Sequence, residues 1–190
     1  MKKTIFFIAV AVLCLFFRGF GQSGGGVSGP YGTAAIRVGE KVPDLLFVHV
    51  LNGDKRPVSL SSFKGKAVIL DFWGTWCGSC ISSFPKMEKL QEKYGRYLQI
   101  LFVDDSTVDS LENTSAFVEL HERAGEVFSI PMIWDKGFTP VLFPHQSYPH
   151  YVWIGADRRV AAITDGTHFT EANFERFFAG LELNLKRKEF

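Results

Sequence analysis

The sequence predicts an α/β fold: a central mixed β-sheet flanked by helices. Three observations carry this. Two short, uninterrupted apolar runs, Ala67–Trp73 (AVILDFW) and 98–103 (LQILFV), suit strands buried on both faces. A segment of helical spacing follows each of them, and strands alternating with helices build such sheets. Two further runs, 151–154 and 159–164, flank Gly155-Ala156-Asp157-Arg158 and read as a closing hairpin, so the sheet cannot be all parallel.

Taken in order, 45–51 and 55–60 flank Asn52-Gly53-Asp54, a hairpin signal that predicts an N-terminal extension to the sheet. Residues 77–94 place Ile81, Phe84, Met87, Leu90 and Tyr94 on one helical stripe, with Pro85 inside it. Residues 111–124 predict an amphipathic helix through Phe117, Val118, Leu120 and Ala124. Residues 130–134 predict a third short strand. Residues 169–185 predict a last helix through Phe174, Phe177, Phe178 and Leu181.

Composition narrows the function. The chain has 190 residues, 46% hydrophobic and 22% charged, with net charge +1. That balance excludes a disordered chain. It offers no basic excess for nucleic acid. Three cysteines do not make a disulfide-packed miniprotein, and 19 phenylalanines provide for a large aromatic core.

The N-terminus has the layout of a secretory signal peptide over residues 1–21. Lys2 and Lys3 precede an apolar run from Ile5 to Phe17, then Arg18 and small or polar residues. The run is shorter than the roughly 20 residues that span a bilayer; an uncleaved membrane anchor is the alternative. Residues 22–36, rich in Gly and Ser, read as a flexible linker, and 37–190 as one domain. Without residues 1–21, 18 basic and 20 acidic residues remain, a net charge of −2, and Cys14 is lost, leaving Cys77 and Cys80. Export places that pair in an oxidising compartment.

Trp76-Cys77-Gly78-Ser79-Cys80 follows a predicted buried strand and opens a predicted helix. Positions i and i+3 share a helix face, so the two sulfurs can close a disulfide without backbone movement. Cys77 falls at the helix N-terminus, where unpaired N–H groups and the dipole favour a thiolate. It is the expected nucleophile. Cys80, one turn inside, is the expected resolving thiol. A structural disulfide, a zinc half-site and two inert buried thiols are the competing readings. Asp71 stands inside AVILDFW, where a charge is costly unless used; burial would raise its pKa and let it take the Cys80 proton. The alternatives are a solvent-facing carboxylate or one paired with a lysine. By strand alternation Asp71 shares a face with Ile69 and Trp73.

The run 71–80 (DFWGTWCGSC), with Pro85 five positions beyond the second cysteine, resembles the active-site segment of thioredoxin. The exported N-terminus, the opening hairpin and SSFKGKAVILDFWGTWC are similar to the TlpA/ResA branch of exported thioredoxin-like proteins, over about residues 38–185. The resemblance implies a thioredoxin-like fold with an insertion at 104–148. It matches Cys77 to the attacking cysteine, Cys80 to the resolving one, Asp71 to the buried acid and Pro85 to the proline that kinks the active-site helix. It matches Pro149 to the cis-proline beside the disulfide, with Tyr148 and Trp76 as substrate contacts. It implies an exported thiol–disulfide oxidoreductase that reduces disulfides in other proteins, with no cofactor or metal. The implied partners are protein substrates carrying disulfides or thiols and a membrane thiol-transfer electron donor; the chain is expected to be a monomer.

Two departures stand out. Ser79 replaces the usual proline between the cysteines, and His150 replaces the usual threonine after Pro149, where it reads as structural or as a neighbour of the cysteines. The aromatic residues of the insertion, Trp134, Phe138 and Phe143, read as core or lid packing. Gly39-Glu40-Lys41-Val42-Pro43 looks like the start of peroxiredoxin-type chains, which makes a thiol peroxidase the rival enzyme. Such enzymes carry a threonine where this chain has Gly74. A non-catalytic binding module on the same fold is the third reading.

Overall fold

In a computed structural model the described residues are 31, 32, 34–179 and 181. The predicted signal peptide, most of the predicted linker and residues 180 and 182–185 of the predicted last helix lie outside them; that helix ends at Phe178, and Leu181, expected on its stripe, lies beyond it and is exposed. Among the described residues there are seven strands: β1 Leu46–Phe47, β2 Val58–Ser59, β3 Ala67–Trp73, β4 Leu98–Asp104, β5 Met132–Trp134, β6 His150–Ile154 and β7 Val160–Thr164. The helices are α1 Gly78–Tyr94, α2 Leu111–Arg123, α3 Thr139–Leu142 and α4 Glu171–Phe178.

The main sheet runs β5-β4-β3-β6-β7. β3 is its centre and every one of its residues is buried, as a strand covered on both faces must be. It pairs in parallel with β4, from Ala67 opposite Leu98 to Trp73 opposite Asp104, and antiparallel with β6, from Val68 opposite Ile154 to Phe72 opposite His150. The sheet is therefore mixed, as the closing hairpin implied. β3 and β4 end at the same edge, and β6 begins there. The segments 74–77, 105–110 and 147–149 thus converge at one end of the sheet.

Alternation along β3 divides the core in two. Ile69 and Trp73 face a cluster with Phe84, Met87 and Leu90 of α1, Val118 of α2 and Phe174 of α4. Val68, Leu70 and Phe72 face a second cluster closed by Val42, Leu45 and Phe47 of the N-terminal segment and by Leu142 and Phe143. One face is thus covered by the three longer helices. The other is covered by the N-terminal extension and α3, a single turn too short to show a helical period in the sequence. Ser110 caps α2 by accepting from the Asn113 N–H. Thr170 caps α4 by accepting from Asn173, which starts that helix two residues after the expected position.

The Asn52-Gly53 signal is used differently from a tight hairpin. β1 and β2 pair only over Leu46–Ser59 and Phe47–Val58, so the loop is wide. Residues 49–52 turn away to the edge of β5 instead. Val50 bridges Ile133, the Trp134 N–H donates to the His49 carbonyl and the Leu51 N–H to the Met132 carbonyl. Gly53, at φ 60°, makes the turn in the left-handed region. Asn52 is buried, and its amide donates to the carbonyls of Phe128 (3.0 Å) and Ile130 (2.9 Å) while its Oδ1 accepts from the Met132 N–H (2.8 Å). That side chain pins the insertion to the N-terminal segment.

Asn52→Ala orphans three backbone groups, at about 1–3 kcal/mol for a buried group left without a partner. We expect a loss of about 3 kcal/mol or more of unfolding free energy in urea titration, against less than about 1 kcal/mol for Asp54→Ala on the exposed turn.

Candidate functional site

Cys77 and Cys80 are joined by a disulfide, with sulfurs 2.05 Å apart. Cys77 is the N-cap of α1, and its sulfur accepts from the Cys80 N–H at 3.3 Å. The helix terminus is therefore directed at the sulfur that would carry negative charge once the bond opens. Cys77 keeps 5% of its surface exposed beside exposed Gly78 and Ser79, whereas Cys80 has none. The Ser79 hydroxyl lies 3.5 Å from the Cys77 sulfur, so the residue that departs from the resemblance adds a second polar hydrogen near it. Pro85 lies within α1, in the turn after Ile81.

Asp71 is fully buried and neither of its carboxylate oxygens has a hydrogen-bond partner. It shares the α1-facing side of β3 with Ile69 and Trp73, the side on which both cysteines are buried. Burial alone pushes its carboxyl well above the usual range. Both the solvent-facing and the lysine-paired alternatives are thereby set aside. Across the strand pair stands Tyr151, whose phenol is likewise pushed up, first by burial and then by the Asp71 charge.

The Tyr148–Pro149 peptide bond is cis. Tyr148 packs edge-on against Trp76, centroids 5.5 Å apart at 90°, and Trp76 is 55% exposed. A groove of about 480 Å³ runs between Ser79, Lys86, Tyr148, Pro149 and Thr167. His150 lies apart from the cysteines. It is buried opposite Phe72 on the other face of the sheet and stacks on His145 at 4.3 Å. Phe143 is buried in the same cluster and Phe138 packs against it, while Trp134 packs on the helix-facing side. Of these three aromatic residues of the insertion, Phe143 is core, and Phe138 and Trp134 pack against the core half-buried.

Sequence reading missed the end of β4 and the loop after it. Asp104, Asp105, Ser106 and Asp109 are all buried. Asp109 accepts from the Thr75 N–H (2.8 Å) and hydroxyl (2.6 Å). Ser106 Oγ accepts from the Trp76 indole N–H (2.9 Å), and Asp105 from the Tyr148 hydroxyl (2.8 Å). Asp104 accepts from the Thr114 hydroxyl (2.5 Å), and its carboxyl is pushed up to about 7, chiefly by burial. The available signal was position: these polar residues directly follow a buried strand parallel to the one that leads into the cysteines. Gly74 also acquires a reason. A side chain there would meet Asp109 Oδ2 and the Trp76 indole nitrogen at 3.0 Å and the Ser106 Cβ at 3.2 Å.

A central mixed sheet, a strand leading into a helix capped by a CxxC disulfide, and a cis-proline loop together define a thioredoxin-like protein. Residues 38–140 match the AhpC/TSA family, and the chain belongs to that family. It is 33% identical over 115 residues to the thioredoxin-like protein YneN of Bacillus subtilis, which covers 60% of this chain and 63% of that protein. It is 35% identical over 104 residues to the thiol-disulfide oxidoreductase ResA of Bacillus thuringiensis, 54% of each chain. The chain thus spans just over half to just under two-thirds of the length of these relatives. Among solved structures, that of a candidate thiol:disulfide interchange protein DsbE from Chlorobium tepidum superposes with a TM-score of 0.59 at 27% identity, over 77% of this chain and 98% of that one. The exposed lipoprotein thioredoxin of Streptococcus pneumoniae shares the fold, with a TM-score of 0.59 at 23% identity over 73% of this chain and all of that one.

The buried acids fix how stability depends on pH. The folded-state proton affinity of Asp71, and that of Asp104 at about 7, lie above the ordinary carboxylate value. At these two positions the folded chain therefore binds more protons than the unfolded chain above about pH 4. Their contribution to stability falls as pH rises from there, through about 7 for Asp104 and on to the folded-state pKa of Asp71. Asp71→Asn, which imitates the protonated acid, should match wild type near pH 4 and exceed it increasingly towards pH 8 in thermal melts. A constant offset at all pH values would contradict a strongly raised proton affinity.

Proposed function

We propose that this chain is an exported thiol–disulfide oxidoreductase that reduces disulfides in other proteins. The observation that carries the reading is the Cys77–Cys80 bond at the N-terminus of α1, with Cys77 slightly exposed and Cys80 wholly buried, both on the face that holds Asp71. In the reduced form the Cys77 thiolate attacks one sulfur of a client disulfide. A Cys77–client bond forms, the client bond breaks, and one client thiolate leaves. Cys80 then gives its proton to the ionised form of Asp71 and attacks the Cys77 sulfur. The internal disulfide forms, the second client sulfur leaves as a thiolate that takes a proton from Asp71 or solvent, and two electrons have passed to the client. The raised proton affinity of Asp71 brings it closer to that of a thiol, about 8.5, which reduces the cost of the transfer.

Several features support this reading. The relatives in the same family include one named as a thiol-disulfide oxidoreductase. Trp76 precedes Cys77 and packs on Tyr148, and Tyr148 and Pro149 line a groove with Ser79; this would be the surface offered to a client chain. The N-terminal 21 residues have the pattern of an export signal, and among the described residues no helix is long and apolar enough to cross a membrane. Outside the cytosol a reductase must be recharged by a thiol donor, for which a membrane thiol-transfer protein is the proposed source. The peroxidase reading lacks both the threonine at position 74 and the space for one.

Reduction of insulin with a thiol donor tests the activity. Wild type should turn over; Cys77→Ser should abolish turnover, and Cys80→Ser should accumulate a mixed disulfide through Cys77. Asp71→Asn should slow the second step by about 10²-fold, the low end of what a positioned acid–base group supplies, with the first step little altered. Peroxide consumption exceeding insulin reduction, or no turnover dependent on Cys77, would overturn the proposal. Direction follows from the equilibrium with a glutathione buffer. A potential near the −270 mV of thioredoxin supports reduction, and one near the roughly −120 mV of strong oxidants reverses it.

A further inference from the structure

Trp76, which precedes Cys77, and Tyr148, which packs edge-on against it, both carry a polar end, and both ends are turned inward. The Trp76 indole N–H is spent on Ser106, and the Tyr148 hydroxyl on the buried carboxylate of Asp105. What they leave outward is ring surface: half of Trp76 is exposed, and Tyr148 stands edge-on to it. Thr75, next in the chain, is bound twice by Asp109. One segment, 105–109, therefore holds three successive points of the wall that borders Cys77. His145 Nε2 lies 3.4 Å from the same Asp105 oxygen that accepts from Tyr148.

We propose that Asp105 is a positioning residue for client recognition, and that the wall it holds selects disulfides whose cysteine is flanked by an apolar or aromatic side chain. This rests on the oxidoreductase reading above and adds the class of client. The reasoning is physical. With its hydrogen-bonding atoms satisfied inside, the wall offers an incoming side chain apolar contact and edge-to-face packing. A charged neighbour would lose water there without a compensating partner. A Tyr148 ring already fixed by Asp105 surrenders no rotational freedom on binding, and fixing a side chain of this kind is worth about two- to tenfold in affinity.

The test uses two disulfide-linked peptides that differ only beside the cysteine, Leu in one and Asp in the other, with bis-hydroxyethyl disulfide as a substrate that cannot reach the wall. The full-length wild type should favour the Leu peptide in kcat/KM by about tenfold or more. Tyr148→Phe removes the hydroxyl and keeps the ring. It and Asp105→Ala should each cost about two- to tenfold on the Leu peptide, mainly in KM, beyond any loss on bis-hydroxyethyl disulfide. The double variant should be no worse than the poorer single one, because both break the same contact. Asp105→Asn, which keeps an acceptor oxygen, should recover most of the Asp105→Ala loss. Equal turnover of the two peptides by wild type, or equal losses on peptide and small disulfide in the variants, would overturn this inference while leaving the oxidoreductase reading in place. No turnover of any of the three substrates would overturn both.

Discussion

The site depends on the mixed pairing of β3. A parallel neighbour on one side and an antiparallel neighbour on the other bring two strand ends and one strand beginning to the same edge of the sheet. The segments that emerge there carry the cysteines, the acidic loop and the cis-proline. An all-parallel arrangement would send the segment before β6 to the opposite end, and Tyr148 could not meet Trp76. The pairing is in turn fixed by burial. β3 has no solvent-facing position, and a one-residue slip would exchange Ile69, Asp71 and Trp73 with Val68, Leu70 and Phe72 between two differently built cores.

Acidity is handled in two ways at this edge. Asp71 is left without partners among apolar side chains, which holds its proton tightly. Asp105 and Asp109 are buried to a similar degree, but each accepts from a residue of the cysteine or cis-proline segment. The first arrangement suits a group that exchanges a proton; the second suits groups that hold neighbours still. Burial is common to both, and the hydrogen-bond donors around each carboxylate distinguish them.

Much of this was legible in the sequence because it is local. β3, α1, β4 and α2 follow from apolar period and appear within a residue or two of the expected positions. The CxxC spacing forecast the bond between Cys77 and Cys80, alternation forecast the face of Asp71, and the resemblance to thioredoxin forecast the cis bond at Pro149. What escaped was non-local. Asn52 carries a turn signature, yet its side chain serves residues 128, 130 and 132, a pairing that no window around position 52 contains. Asp105 and Ser106 read as an ordinary polar loop until β4 is placed beside β3. His150 could be assigned to a side of the sheet only once its partner Phe72 was known. α3 is one turn long, below the length at which a helical repeat can show.

The measurement closest to the central claim is the alkylation of the reduced full-length protein, followed residue by residue by mass spectrometry at neutral pH. A helix N-cap position with slight exposure predicts that Cys77 reacts faster than a free thiol, while Cys80, wholly buried in the α1-facing core, stays protected on the same time scale. Modification of Cys80 first or at an equal rate, or a Cys77 no more reactive than an unperturbed cysteine, would contradict the assignment of one sulfur to attack and the other to resolution.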